Sequence, residues 1–343
     1  MARKKRKKKS RGAKRSRRRS LLLATIASAI LAIYAAAGVW FVHHPSEWID
    51  QKKSDHPRLS SALLWIGNPT GDITDALNLT GRDVVYEYDE EAPSGSVLFA
   101  GIPVRTGPKA PADIKVLDRG EFVIGWSDSL RRPVWCAYHV TKESLHENLP
   151  RPGFTKDREV PLAPKPSDYA KSGYDRGHMA PNHALATRYG EEVQKLTFRM
   201  SNVVPQTPAL NRGPWRDLEH RIADLWTAKY GEIWVITGCL PSKDGQKIHG
   251  TEIDVPSAFY QVITAQDGLD IRMLAVLLPD TTPWNAYVAR NIVSVDELEN
   301  LTGLDFNPNL PGFISRPLEA EKPTRLWPIR AIDIFRLILL RFM

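Results

Sequence analysis

The chain has 343 residues, of which 42% are hydrophobic and 25% are charged, and this composition excludes a disordered or fibrous protein. Its formal net charge of +8 comes from residues 2–19, which hold 13 of the 47 lysines and arginines and no acidic residue. The rest carries 34 basic against 39 acidic side chains, which argues against a protein that coats long nucleic acid through many phosphate contacts.

The N-terminus combines a basic tail, residues 1–20, with an uncharged hydrophobic segment at residues 21–42. As a helix that rises about 1.5 Å per residue, this segment reaches about 33 Å and spans a hydrocarbon core of about 30 Å. Secretory signals have apolar cores of only about 7–15 residues, so the pattern favours an uncleaved signal anchor, with cleavage near the small residues 35–38 as the alternative. The basic tail predicts a cytoplasmic N-terminus and a folded part on the periplasmic or extracellular side.

Three segments lie outside the predicted folded domain. The basic tail is interpreted mainly as a determinant of topology, and a patch for nucleic acid or anionic lipid is the alternative. Residues 43–60 are polar and predict a linker. Residues 323–343 form a C-terminal tail, and its amphipathic part at 329–343 is too short to span a bilayer. That part predicts a helix on the membrane surface, or one docked on the domain or on a partner.

Residues 61–322 predict one domain of the α+β class, because strands occur in blocks and not in regular βαβ alternation. Two apolar runs around a turn predict a hairpin at 120–140, and β-rich runs predict strands at 233–240, 259–264 and 271–278. Helical patterns cover residues 214–230, 284–291 and 294–302. The expected fold is a largely antiparallel central sheet flanked by helices and preceded by one transmembrane helix. Residues 61–115 are expected to be an N-terminal extension of the same domain.

The two cysteines, Cys136 and Cys239, lie in apolar, strand-like runs. Their surroundings lack the ligand spacing of a zinc site. The sequence therefore favours two buried thiols and leaves a disulfide open.

The residues that carry chemistry are concentrated in one stretch of the chain. It reads SGYDRGHMAPN at 172–182, TFRMSNVVPQ at 197–206 and LNRGPWRDLE at 210–219. Within it, Asn211, Trp215 and Glu219 follow at intervals of four, which on a continuous helix places a carboxamide and a carboxylate on one face. Pro214 suits the first turn of that helix.

These residue types suit phosphodiester hydrolysis. Oxygen ligands favour magnesium, which takes few protein ligands, and a histidine such as His178 deprotonates water near neutral pH. A metal ion with a nearby base is a suitable apparatus for this reaction. Taken singly, each residue also has an ordinary structural role, such as a helix cap for Asn211 or a solvated helix carboxylate for Glu219.

The three motifs, in this order and spacing, resemble the DNA/RNA non-specific endonuclease family, the endonuclease G-like members of the ββα-metal or His-Me finger nucleases. The resemblance extends over about residues 120–310, through RRPVWCAYHV, IWVITG, VPSAFYQV and VDELENLTGLDF. It implies a ββα-metal finger, DNA and RNA as substrates, and Mg²⁺ as cofactor with Mn²⁺ as a substitute. Some members are dimers, so a homodimer is a further expectation.

The resemblance also implies a role for most candidate residues. His178 would activate the attacking water, Asn211 would ligate Mg²⁺, and Glu219 would orient the waters of the metal or pair with an arginine. Arg176 would hold that carboxylate or the phosphate, and Arg151 would contact the phosphate. The remaining motif residue is Asp175, to which no chemical step is assigned.

The implied reaction is a single-metal hydrolysis that leaves 5′-phosphate products. The rival interpretation is a non-catalytic, membrane-bound nucleic-acid-binding protein on a retired nuclease scaffold. Because a retired site has no need to retain His178, Asn211 and Glu219 together, the sequence favours the enzyme.

Overall fold

The computed structural model describes residues 85–87, 96–145, 149–268 and 270–333. All of these belong to one unit, which spans residues 75–343. The basic tail, hydrophobic segment and linker predicted for residues 1–60 lie outside the described residues, as do residues 334–343. Within the described ranges, every helix is too short or too polar to cross a lipid bilayer.

Strands and helices occur in blocks along the described residues. The strands are β1 (Val85–Glu87), β2 (Val104–Arg105), β3 (Ile114–Asp118), β4 (Phe122–Ser127), β5 (Arg132–Thr141), β6 (Asp175–His178), β7 (Val203–Gln206), β8 (Glu232–Leu240), β9 (Ala258–Asp267), β10 (Asp270–Pro279), β11 (Ile292–Val293) and β12 (Leu304–Asp305). The helices are α1 (Asn182–Tyr189), α2 (Glu191–Thr197), α3 (the consecutive segments Pro208–Leu210, Asn211–Trp215, Arg216–His220, Arg221–Trp226 and Thr227–Tyr230), α4 (Val295–Thr302) and α5 (Gly312–Ala320).

The central feature is an antiparallel sheet with the strand order β1-β10-β9-β8-β5-β4-β3 and with β11 beside β10. This confirms the predicted α+β class with a largely antiparallel sheet. The predicted hairpin is the β4–β5 pair, and the three predicted strands are β8, β9 and β10, each longer than the sequence pattern by one to four residues.

Both faces of the sheet are covered, so its central strands are buried on both sides. On β5, Cys136 and Tyr138 pack into the cluster that α3 joins, whereas Trp135 and Ala137 pack into the cluster that α4 and α5 join. Burial of both faces removes the alternation of polar and apolar residues that marks a half-exposed strand. These strands are therefore visible in the sequence only as apolar runs.

Two of the three predicted helices are confirmed. Residues 214–230 lie in α3, and α4 begins at a capping box in which the Ser294 hydroxyl accepts from the Glu297 amide at 3.1 Å. The helix predicted at 284–291 is wrong, because only the short 3₁₀ helix Val288–Asn291 forms there. The residues before it form turns instead, with the Ala286 amide bonded to the Pro283 carbonyl.

The described part of the C-terminal tail packs on the domain. Leu326 and Trp327 are fully buried, and the indole nitrogen of Trp226 donates to the Trp327 carbonyl at 3.0 Å. The Trp226 and Trp327 rings lie 5.3 Å apart. The hydrophobic core therefore continues past residue 322 into the segment that the sequence pattern assigned to a tail.

A buried ion pair joins β5 to the loop before β9. Both Nε and Nη2 of Arg132 donate to Oδ2 of Asp254, at 2.9 and 2.8 Å. Cys239 lies beside this pair, with its sulfur 3.0 Å from Nη1 of Arg132. Cys136 and Cys239 are both free and buried, which confirms the expectation of two buried thiols.

Replacing Asp254 by alanine leaves the buried Arg132 guanidinium without its carboxylate. We expect Asp254→Ala to lower the free energy of unfolding by about 3–5 kcal/mol, measured by urea denaturation. The matched control is Glu252→Ala, which removes the exposed partner of Lys247 and should leave the midpoint unchanged. Equal midpoints for the parent and Asp254→Ala would contradict this account.

Candidate active site

A short hairpin and the helix α3 form a ββα unit. β6 pairs antiparallel with β7, from Asp175 opposite Gln206 to His178 opposite Val203, and α3 begins after one linking residue. The helices α1 and α2 occupy the connection between the two strands. His178 is thus the last residue of the first strand, and Asn211 lies in the first turn of α3.

Gly213 interrupts α3 between Asn211 and Glu219. Its backbone angles, φ −106° and ψ −114°, are not helical, and a Cβ at this position would overlap the backbone of Trp284. The expected spacing of four residues along one continuous helix is therefore wrong, since Pro214 starts a new helical segment. Asn211 and Glu219 nevertheless line the same cavity.

A cavity of about 470 Å³ opens beside the ββα unit. All six residues that the sequence singled out line it: Arg151, Asp175, Arg176, His178, Asn211 and Glu219. They come from β6, from α3 and from the loop after residue 149. The fold therefore brings residues that are up to 68 positions apart in the chain to one surface.

Two aromatic rings enclose the imidazole of His178. The centroid of the Phe154 ring lies 5.2 Å away, and that of Phe198 lies 4.8 Å away in an edge-on arrangement. Nε2 is buried and has no hydrogen-bond partner among the described residues. Burial, and after it the positive charge of Arg151, lower the pKa of His178 to about 3. The ring is therefore neutral at neutral pH, with a ring nitrogen able to accept a proton.

Asp175 ties the hairpin to the start of α3. Its Oδ2 accepts from Nδ2 of Asn211 at 3.0 Å, and its carboxylate also accepts two bonds from Arg212, at 2.8 and 2.6 Å. Burial raises the pKa of Asp175, but the hydrogen bonds from Arg212 and Asn211 outweigh it, so the pKa lies below its usual range. With Nδ2 held in this way, the carboxamide oxygen of Asn211 is left for another ligand.

Glu219 presents a half-buried carboxyl group to the cavity. Burial raises its pKa to about 7, against the opposing effect of the nearby His220 and Arg151. A carboxylate that is only partly compensated by its surroundings is stabilised by a cation in the same cavity.

Arg176 does not hold this carboxylate. Its Nη2 donates to the Pro166 carbonyl at 2.8 Å, and its guanidinium lies 5.4 Å from the Phe154 ring and 5.9 Å from the Tyr169 ring. The expected pairing with Glu219 is therefore replaced by stacking on aromatic rings.

Arg151 lies close to His178. Its guanidinium is 5.5 Å from the centroid of the Phe198 ring, which also contacts His178. Its charge is one of the causes of the lowered pKa of His178. This position gives the loop after residue 149 a cation at the cavity.

Several residues of the cavity are not among the candidates that the sequence indicates. Arg212 orients Asp175, and Arg216, His183 and His220 also line the wall. Arg212 and Arg216 lie inside the motif at 210–219, so their position was available from the sequence. Which side chains these two arginines contact in the fold was not available from the sequence.

A model of the DNA/RNA non-specific endonuclease family matches residues 104–313, more than half of the chain. The chain belongs to this family. It is 32% identical over 250 residues to a nuclease of Nostoc sp., a match that covers 68% of this chain and 88% of that protein. It is 34% identical over 245 residues to the mitochondrial nuclease EXOG of Danio rerio, with 66% and 70% covered.

A solved structure gives the same result for the fold. A crystal structure of an EndoG/EndoGI complex aligns with a TM-score of 0.51 and 28% sequence identity, and covers 57% of this chain and 86% of that chain. The chain is also 28% identical over 241 residues to mitochondrial endonuclease G of Bos taurus, with 64% and 80% covered. The resemblance in the motifs is therefore confirmed, and this member of the family is a nuclease of the endonuclease class.

Proposed function

We propose that this nuclease is a membrane-anchored, Mg²⁺-dependent endonuclease that hydrolyses both DNA and RNA and leaves 5′-phosphate products. The observation that carries the proposal is that His178 and Asn211 line one cavity, with Nε2 of His178 lacking a hydrogen-bond partner among the described residues. A base and a metal ligand on two arms of a ββα unit are the groups that a single-metal hydrolysis requires.

His178 accepts the proton of the attacking water in this proposal. Phe154 and Phe198 restrict the imidazole ring, so Nε2 keeps one direction relative to the cavity. The water oxygen bonds to phosphorus while the bond from phosphorus to the 3′-oxygen breaks. The proton passes to Nε2, and the departing oxygen takes a proton from solvent. Such a base contributes a factor of about 10²–10⁴ to the rate.

The donor groups of the cavity fit a hard divalent cation. The carboxamide of Asn211 is oriented by its bond to Asp175, and Glu219 is a carboxylate that burial leaves partly uncompensated. Oxygen donors with room for water are the environment that Mg²⁺ takes in proteins, and Mn²⁺ shares it. Asn211 would hold the ion and Glu219 would orient its waters. When bound, the ion supplies charge stabilisation at the phosphoryl and departing oxygens.

Arg151 and Arg176 are the proposed contacts for the phosphate. Both line the cavity, and neither forms an ion pair with a carboxylate of the described residues. A guanidinium donates to two phosphate oxygens at once, which fixes the orientation of the scissile group. This assigns Arg176 to the phosphate, the second of its two expected roles.

Replacing His178 by alanine tests the catalytic assignment. We expect His178→Ala to reduce plasmid nicking in the presence of Mg²⁺ by at least about 10²-fold, because the variant lacks the imidazole that accepts the proton. The matched control is His249→Ala, an exposed histidine outside the cavity, which should nick like the parent. Nicking by the parent should stop in EDTA. Unchanged activity in His178→Ala, with the fold intact by circular dichroism, would refute the assignment.

Replacing Asp175 by asparagine tests the support of the metal ligand. Asparagine keeps one amide oxygen but loses the charge and the second oxygen that Arg212 binds, so the Asn211 amide is held less firmly. We therefore expect the Mg²⁺ concentration at half-maximal cleavage to rise about 10–100-fold. The matched control is Asp168→Asn, whose carboxylate accepts from the Lys165 amide and does not line the cavity. A parental Mg²⁺ dependence in Asp175→Asn would show that Asp175 does not position the ligand.

Membrane anchoring through residues 21–42 is supported by their hydrophobicity and length alone. We expect the full chain to stay in the membrane pellet after alkaline carbonate extraction and a variant lacking residues 2–42 to be released. Protease added outside should digest the nuclease domain, which the proposed topology places on the periplasmic or extracellular side. Release of the full chain by carbonate would refute the anchor. The surface helix at 329–343 and the homodimer stay predictions.

A further inference from the structure

Three side chains with metal-binding chemistry meet where α1 approaches α3. Nε2 of His183 lies 3.1 and 3.2 Å from the two carboxylate oxygens of Asp224, and Nδ1 of His220 lies 3.1 Å from Oδ2 of the same residue. The three donor atoms all lie within 4.8 Å of one another. None of these residues is used in the mechanism proposed for phosphodiester hydrolysis.

The backbone places these donors in a fixed arrangement. His220 and Asp224 are four residues apart on α3 and therefore share one face of the helix, while α1 brings His183 from another part of the chain. Zinc binds imidazole nitrogen and carboxylate oxygen at about 2.0–2.2 Å, so donors around a tetrahedral ion stand about 3.3 Å apart. The observed separations from Asp224 are close to this value.

Access and charge also suit a cation. The side chains of His183, His220 and Asp224 are 31%, 28% and 21% exposed, and both histidines line the cavity, so solvent can complete the coordination. Both carboxylate oxygens of Asp224 face imidazole nitrogens of the two histidines. Glu219 adds negative charge near His220, and Arg216 opposes it.

We propose that His183, His220 and Asp224 form a second cation site, which binds a divalent ion of the zinc class and links α1 to α3. Two imidazoles and one carboxylate are a ligand set for zinc and similar transition metals, whereas Mg²⁺ prefers oxygen donors alone. This site differs in chemistry from the oxygen donors of Asn211 and Glu219. The inference does not depend on the proposed function.

Zinc titration of the metal-stripped full chain by isothermal calorimetry tests the site. His43 and His44, outside the described residues, are replaced by glutamine in every protein compared, so that this adjacent pair does not contribute. In that background we expect one zinc ion per chain, and we expect His183→Gln and Asp224→Asn each to weaken binding by at least about 10–100-fold.

Two control variants separate this site from others. Asn211→Ala removes the proposed Mg²⁺ ligand, and His249→Gln removes an exposed histidine, and both should bind zinc like the parent. Cobalt provides a second readout, because the absorption bands of bound Co²⁺ should appear in the parent and disappear in His183→Gln. Metal-free melting curves of each variant establish that it is folded.

The remaining outcomes overturn the proposal. Parental zinc affinity in both His183→Gln and Asp224→Asn would show that these side chains form only a hydrogen-bonded contact between helices. Equal loss of binding in Asn211→Ala would assign the zinc to the nuclease centre, and the nicking assay of His178→Ala would still decide the proposed function separately.

Discussion

The geometry of the nuclease centre depends on the bond between the Asp175 carboxylate and the Asn211 carboxamide. The first turn of α3 fixes the backbone of Asn211, whose amide donates to the Thr207 carbonyl at 2.9 Å, but it leaves the carboxamide itself without a constraint. The bond to Asp175 supplies that constraint, and Arg212 holds the carboxylate through two further bonds. The proposed metal ligand on the helix is thereby connected to the strand that carries His178, so the two proposed reacting groups keep their relative position.

The enclosure of His178 is energetically costly and chemically useful for the same reason. A buried ring nitrogen without a hydrogen bond costs free energy, and it persists only where the surrounding core is rigid. Here Phe198 is buried, Phe154 packs against a buried cluster, and the backbone of His178 is fixed by pairing with Val203. The imidazole that results is neutral at neutral pH, and its Nε2 has no competing hydrogen bond among the described residues, so it is available for the proton in the proposed reaction.

Much of the fold was predictable from local patterns, and so were the members of the site. Apolar runs marked β8, β9 and β10, and the motif residues converge on one cavity. The helix expected at 284–291 failed locally, because turns form before Val288, but the failures at the site involve contacts between distant segments. The helix is interrupted at Gly213, where the backbone of Trp284 lies against it. The sequence pattern at 210–219 gives no indication of that neighbour.

The partner of Arg176 illustrates the same limit. The sequence offers a carboxylate at Glu219, but the fold places the Pro166 carbonyl and two aromatic rings beside this guanidinium. Similarly, no sequence pattern singles out His183, and it becomes a candidate metal ligand only because α1 packs near Asp224. Contacts that arise from tertiary packing leave no pattern at a fixed spacing in the sequence. Residues that act together within one motif do leave such a pattern.

The acidic balance outside the basic tail is compatible with a nucleic-acid substrate, because charge acts locally. Exposed charges more than about 8–10 Å apart are screened at physiological salt. At the cavity, Arg151 and Arg216 act on Glu219, Arg176 also lines the wall, and the charge of Asp175 is already matched by Arg212. This local distribution of positive charge suits a single phosphate group beside His178, as the proposed function requires. A short footprint on the substrate follows from this distribution of charge.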